Sequence, residues 1–312
     1  MQNHTKGIIY ASITAFFWGF LAIALKVAVR KVDPPTIVWF RFVIAFIMLA
    51  AWLMIKNRSS FRILVKPPVL LIVAAIALSW NYMGYMLGIH HTTPSNAQLF
   101  IQSGPLILAT AGFVLFREKV SRNQIIGFAI ALAGFSFFYH DQLSAFFDSR
   151  GDYQIGILLT VSGAVAWSVY AILQKKLVVN HPVDALNLFL FGFPAIAYLP
   201  FVDFHSLMHL HWSWWLLLVF LGMNTFIAYT CVANALKYTE ANKVSIILIL
   251  NPMITFITMG ILTELNVSWI QPERFSPLTA AGVILVFTGA ILVVRKAGNK
   301  RATQQTRGVQ AK

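Results

Sequence analysis

The sequence predicts an all-α integral membrane protein: ten transmembrane helices arranged as two inverted five-helix repeats. Three observations carry this. Of the 312 residues, 58% are hydrophobic and 11% charged, which leaves too little polar surface to coat a soluble globule of that length. The apolar residues fall in ten runs of roughly 20, the length of helix that crosses about 30 Å of hydrocarbon. Finally, the two halves of the chain match one another in register.

The expected spans cover residues 7–29, 35–55, 68–89, 94–116, 122–139, 153–177, 183–202, 213–235, 240–263 and 276–294. The first is longer than the apolar part of a secretion signal and has no small-x-small cleavage site followed by a soluble domain, so it is expected to remain as a span. Net charge is +14. The basic residues sit in short loops and one tail, without interleaved aromatics on a soluble face, so the lipid surface and not nucleic acid is their expected counterpart. With the N-terminus inside, eighteen Lys and Arg fall on the cytoplasmic side and five on the outer side, which sets both termini in the cytoplasm. Cys231 is the lone cysteine and cannot form an intramolecular disulfide.

Four segments follow. Residues 1–139 form the first repeat, 140–152 an outer (periplasmic) linker, 153–295 the second repeat and 296–312 a basic cytoplasmic tail. "GIIYASITAFFWGFLAIALK" from Gly7 aligns without a gap on "GILLTVSGAVAWSVYAILQK" from Gly156, pairing Trp18 with Trp167 and Lys26 with Lys175. "HTTPSNAQLFIQSGPLIL" aligns on "YTEANKVSIILILNPMIT", pairing Thr92 with Thr239 and Pro105 with Pro252, while Tyr82 and Tyr229 keep the same spacing upstream. Spans 5 and 10 each carry two glycines seven apart, Gly127 and Gly134 against Gly282 and Gly289, which lets a neighbouring helix approach closely. An odd number of spans per unit makes the second copy cross the bilayer in the opposite sense, an arrangement that supports alternating access around a midplane site.

These features resemble the EamA-type branch of the drug/metabolite transporter superfamily: the duplicated five-helix unit, Trp in spans 1 and 6, "RF" early in span 2, and a mid-helix Pro followed by "FREKVS" or "LTELNVS" with a Gly-rich helix behind it. The resemblance covers nearly the whole chain and implies a bacterial inner-membrane permease for the efflux or exchange of small metabolites. Two departures stand out. Leu190 replaces Arg41 in the second unit, and about eight extra residues separate spans 9 and 10.

A polar solute leaving water needs fixed partners inside the hydrocarbon. Span 6 presents Thr160, Gly163, Trp167, Tyr170 and Gln174 along one stripe. Trp18 and Trp167 sit about halfway along their spans, away from the headgroup levels where Trp gathers, so they either line a cavity or pack helices. Span 4 aligns Ser95, Gln98, Gln102 and Pro105, and span 9 aligns Asn242, Ser245, Ile249 and Pro252. Each proline removes a donor, leaving the carbonyls of Ile101 and Leu248 short of a partner. Span 3 adds Asn81, Tyr82 and Tyr85, and span 8 adds Asn224, Tyr229 and Asn234. The amides serve a cavity or bond between helices.

The substrate-binding candidates are therefore Trp18, Trp167, Tyr170, Asn81, Tyr82, Tyr85, Gln98, Gln102, Tyr229 and Ser245; Arg41, Pro105, Pro252, Glu118 and Glu264 are gating or structural candidates. Arg41 lies six residues after Pro35, about 9 Å below the outer boundary, within reach of snorkelling or of Glu264; the other reading is a gate or an attraction for an anionic group. The resemblance implies that Glu118 and Glu264 are paired acidic positions at opposite faces, read as helix-end and loop contacts. Lys26 and Lys175 also lie at opposite faces, as snorkelling residues.

An enzyme is not expected, because HExxH, GxSxG and a spaced acidic pair within a span are all missing. His205, His209 and His211 lie in an outer loop without a carboxylate cluster beyond Asp203, so interfacial placement is preferred to metal binding. With no P-loop, transport would be secondary or facilitative, and no cofactor is expected. The expected partners are a small-molecule substrate and the lipid bilayer, with a homodimer as a possible assembly. Amino acids or similar amphipathic compounds are the expected cargo; uptake of nucleosides, vitamins or other metabolites is the alternative.

Overall fold

The computed structural model describes residues 2–92, 94–118, 121–140, 151–270 and 276–294. Nearly all of the linker expected at 140–152, and the whole tail at 296–312, lie outside the described residues. The described chain is helical, with α1 at Gln2–Ala28, α2 at Pro34–Lys56, α3 at Val69–His91, α4 at Pro94–Ile101, α5 at Ser103–Val114 and α6 at Arg122–Phe138. The second half repeats the series with α7 at Asp152–Leu177, α8 at Val183–Ala197, α9 at Trp212–Tyr238, α10 at Ala241–Leu248, α11 at Asn251–Glu264 and α12 at Pro277–Val294. Eight stretches among the described residues are long and apolar enough to cross a membrane, with α4–α5 and α10–α11 each counting as one. The apolar helices α6 and α12 are shorter.

Helix starts follow local chemistry. Asp33 accepts the Thr36 N–H, and Pro34 and Pro35 fill the first turn of α2, where no donor is missed. Ser121 and Gln124 form a reciprocal capping box at α6. The spans expected at 94–116 and 240–263 are broken in two. α4 stops at Ile101 and α10 at Leu248, the two residues whose carbonyls face the missing proline donors, and Pro105 and Pro252 lie in the first turns of α5 and α11.

α3 packs along α7, α1 along α9, and α6 along α12. Exchanging first-half elements for their second-half counterparts maps this set onto itself. The glycines explain how α6 and α12 come together: a Cβ on Gly127 would sit 2.7 Å from the Gly289 carbonyl oxygen, and one on Gly134 would sit 2.8 Å from that of Gly282. Backbone meets backbone there, which no larger side chain permits.

Candidate functional site

A cavity opens where the two broken spans approach α1, α2, α3, α7 and α9. Trp18, Leu21, Arg41, Asn81, Tyr82, Tyr85, Gln98, Ile101, Gln102, Pro105, Trp167, Tyr229 and Asn251 line it. Counted by where the centre of a water can sit, its volume is about 60 Å³.

One wall is aromatic. The rings of Trp18 and Trp167 meet edge-on with centroids 5.9 Å apart, Trp18 lies 5.5 Å from Tyr229, and Tyr229 lies 5.4 Å from Tyr82. These are favoured geometries for ring quadrupoles. The remaining wall is polar. Gln102 Nε2 donates to Asn251 Oδ1 at 3.0 Å, joining the two chain breaks directly. Gln98 donates to Thr255 Oγ1 at 3.3 Å, and Thr255 in turn donates to the Gly19 carbonyl at 2.6 Å. Asn81 donates to the Gly163 carbonyl at 3.0 Å while its Oδ1 accepts from the Tyr229 hydroxyl at 3.3 Å, so this amide both joins helices and borders the cavity.

Arg41 neither snorkels nor reaches Glu264. It is 2% exposed, its Nε donates to Thr225 Oγ1 at 3.1 Å, and its guanidinium lies 4.4 Å from the centre of the Tyr82 ring. The hydroxyl and the ring face supply partners inside the bundle, so the stem has no reason to run outward. Glu264 is exposed at the end of α11.

Two candidates fall outside the cavity lining. Tyr170 is fully buried one layer back, with its ring 5.6 Å from Tyr229. Ser245 is fully buried and returns its hydroxyl to the Ala241 carbonyl at 2.8 Å, within its own helix. Of the span 6 stripe, only Trp167 reaches the cavity, because α3 covers Gly163 and Gln174 turns to Asn187. Pro105 borders the cavity, whereas Pro252 is buried in α11 away from it.

At one end of the bundle, Glu118 caps the start of α10. Its Oε1 accepts from the Ala241 N–H at 2.7 Å and its Oε2 from the Asn242 N–H at 3.1 Å, at the positive end of that helix, and Lys175 Nζ lies 3.3 Å from Oε1. Lys175 also donates to the Thr239 carbonyl at 2.9 Å, just as Lys26 donates to the Thr92 carbonyl at 2.8 Å. The two lysines do not merely snorkel. Each satisfies carbonyls left open at a helix C-terminus, and they do so at repeat-related positions. Beside this cap, burial pushes the Glu240 carboxyl up, but Lys243 Nζ at 2.7 Å and the Thr239 hydroxyl outweigh burial and hold it below the ordinary carboxylate range.

Asn251, Thr225 and Thr255 were not candidates in the sequence. Asn251 had a signal, since it adjoins Pro252 at the second chain break. Thr225 lies one turn before Tyr229 in α9, but nothing local in the sequence links it to Arg41.

A family model described as "EamA-like transporter family" matches residues 5–139 and again 154–295. The "Uncharacterized inner membrane transporter YhbE" of Escherichia coli (strain K12) is 31% identical over 93% of this chain and 91% of its own length. A second protein of the same organism, named "Probable amino-acid metabolite efflux pump", is 22% identical over 93% of this chain and 95% of its own. A solved crystal structure superposes with a TM-score of 0.71 at 18% identity, covering 93% of this chain and 97% of that one. Apolar helices around a shared polar cavity and this likeness define a multi-pass membrane protein of the transporter class. The chain belongs to the EamA-like transporter family.

Proposed function

We propose that the protein is a secondary transporter of the bacterial inner membrane that exports or exchanges small metabolites, amino acids or similar amphipathic compounds, by alternating access. In this reading α6 and α12 also span the bilayer, giving ten spans as two inverted repeats with both termini cytoplasmic. One observation carries it: residues at corresponding positions of the two halves touch one another around a single cavity, Trp18 on Trp167 and Tyr82 on Tyr229. A residue contacts its own symmetry mate only near the axis that relates the copies, so the cavity sits on that axis. Two exchangeable openings then lead to one site.

The two ends differ, which fits one half of such a cycle. Glu118 and Lys175 close the end at α10, while at the other end Glu264 is exposed and, among the described residues, Lys26 bonds only to backbone carbonyls. In the opposite state the second end closes and the Glu118 contacts part. Amino-acid cargo is supported by the name of the efflux relative and by the size of the cavity. The test is flux of labelled amino acids, nucleosides and cationic dyes in cells and in proteoliposomes of the purified protein. Export should lower accumulation in expressing cells; chemical turnover without flux would overturn the reading.

A further inference from the structure

The cavity carries a charge that its own walls leave unanswered. Arg41 is the one charged residue among those lining it, and no carboxylate joins it there. Among the described residues no ion pair includes Arg41: its Nε donates to Thr225 Oγ1 and its guanidinium lies against Tyr82, both neutral partners, so no carboxylate answers its charge. A guanidinium stays ionised at any pH a protein meets. A buried cation in this condition is costly until water or an anion completes it, and the paired N–H bonds of the fork match the two oxygens of a carboxylate.

Two further polar atoms of the same lining, beside the Tyr82 hydroxyl next to Arg41, are buried without a hydrogen-bond partner. Gln102 commits its Nε2 to Asn251, and its buried Oε1 has no donor. Trp167 is 4% exposed and its buried Nε1 has no acceptor. A free acceptor in the same lining as a free cation suits a solute that carries an N–H group beside its anionic one. The faces of Trp18 and Tyr229 offer apolar contact to the remainder. Volume sets the scale: about 60 Å³ of water-centre space holds on the order of four to six waters, each with a share of liquid volume near 30 Å³, which is the bulk of a single amino acid and well below that of a nucleotide sugar.

We infer that the cavity selects small solutes bearing a carboxylate, held by Arg41, on an apolar or aromatic body, and rejects organic cations. The inference rests on the reading of this cavity as the transport site. Arg41 sets specificity; Thr225 and Tyr82 are positioning residues that hold the guanidinium in place.

Calorimetric titration of the purified full-length protein with phenylalanine, leucine and their two amides tests it. The amides keep the shape but, at a working pH of about 6, are cations, since an α-amino group beside an amide loses its proton near pH 7–8. The acids should bind at least about tenfold more tightly than the amides. Arg41→Gln should weaken binding of the acids about ten- to hundredfold and erase the preference, whereas Arg41→Lys keeps the preference at lower affinity. Gln102→Glu, which adds a fixed carboxylate to the lining, should shift the preference toward the amides. The inference is overturned if amides bind the wild-type protein as well as acids do, or if none of the four probes binds. It is equally overturned if Arg41→Gln, with an unchanged unfolding temperature, retains the preference. Should Arg41→Gln fail to fold, the wild-type comparison and Gln102→Glu decide. Binding of acids without flux in liposomes would sink the transport reading and leave the carboxylate site standing; equal flux of acids and amides would do the reverse.

Discussion

Arg41 and Leu190 hold corresponding positions in the two halves, and both are buried, yet only Arg41 borders the cavity. The duplicated scaffold therefore tolerates either residue, and the charge is specific to the site. The paired indoles present the complementary case, since both halves keep them and they meet. Trp18→Ala or Trp167→Ala removes an edge-on contact of about 0.5–1.5 kcal/mol together with a wall of the cavity. Either substitution is expected to reduce flux by roughly tenfold at unchanged folded yield, measured by uptake into liposomes beside quantitative size-exclusion chromatography. Lost yield would assign the rings to packing. Gln102→Ala leaves Asn251 Oδ1 without its donor at the junction of the two broken spans, a loss of roughly 1–3 kcal/mol that should appear as a lower unfolding temperature.

At the scale of elements, two contacts decide whether helices stay together. α6 and α12 touch through glycines, so Gly127→Leu or Gly282→Leu forces a side chain against backbone. A cost of about 1–3 kcal/mol or more is expected, read as reduced thermal stability in detergent; an unchanged transition would mean that the helices separate freely. Glu118 is 7% exposed on its side chain, and its two charge-assisted hydrogen bonds start α10. Glu118→Gln keeps the shape but loses the ion pair with Lys175. A cysteine placed at the fully buried Asn242 should then react with a polar thiol reagent on the order of tenfold faster than in the Glu118 background, since each charged hydrogen bond contributes about 1.5–3 kcal/mol. The buried Cys231 keeps the background low. Equal labelling rates would count against closure at this end.

For the whole molecule, the orientation is open to direct measurement. A reporter fused after Val294 or inserted near Lys66 is expected to report the cytoplasm, and one inserted near Met208 the periplasm, because Lys and Arg concentrate in the first set of segments. A reporter near Met208 that is active in the cytoplasm would reverse the topology. Much of the architecture was legible in the sequence, since apolar runs and a gapless internal match need no tertiary information. Pro105 and Pro252 marked the carbonyls of Ile101 and Leu248 as short of a donor, but the apolar run at each predicts one continuous span, and the full break is a finding of the structure. The cavity was legible only in part. Trp18, Trp167, Tyr82 and Tyr229 were found because the internal match marks them twice, whereas Asn251 escaped because its partner Gln102 lies 149 residues away. Tyr170 and Ser245 shared a helical face with better-placed candidates, but a shared face does not fix depth.

The sequence by itself determined that this chain lies in a membrane, that it is duplicated and which carbonyls its prolines leave without a donor, because hydrophobic length, internal match and proline chemistry are local properties. Only the tertiary structure decided which polar side chains bond to one another and which remain free, since that depends on distances between helices far apart in the chain. Arg41 shows the difference: its burial required a partner, and only the packing of α2 against α3 and α9 revealed that Thr225 and Tyr82 answer part of that need and leave the remainder facing the cavity.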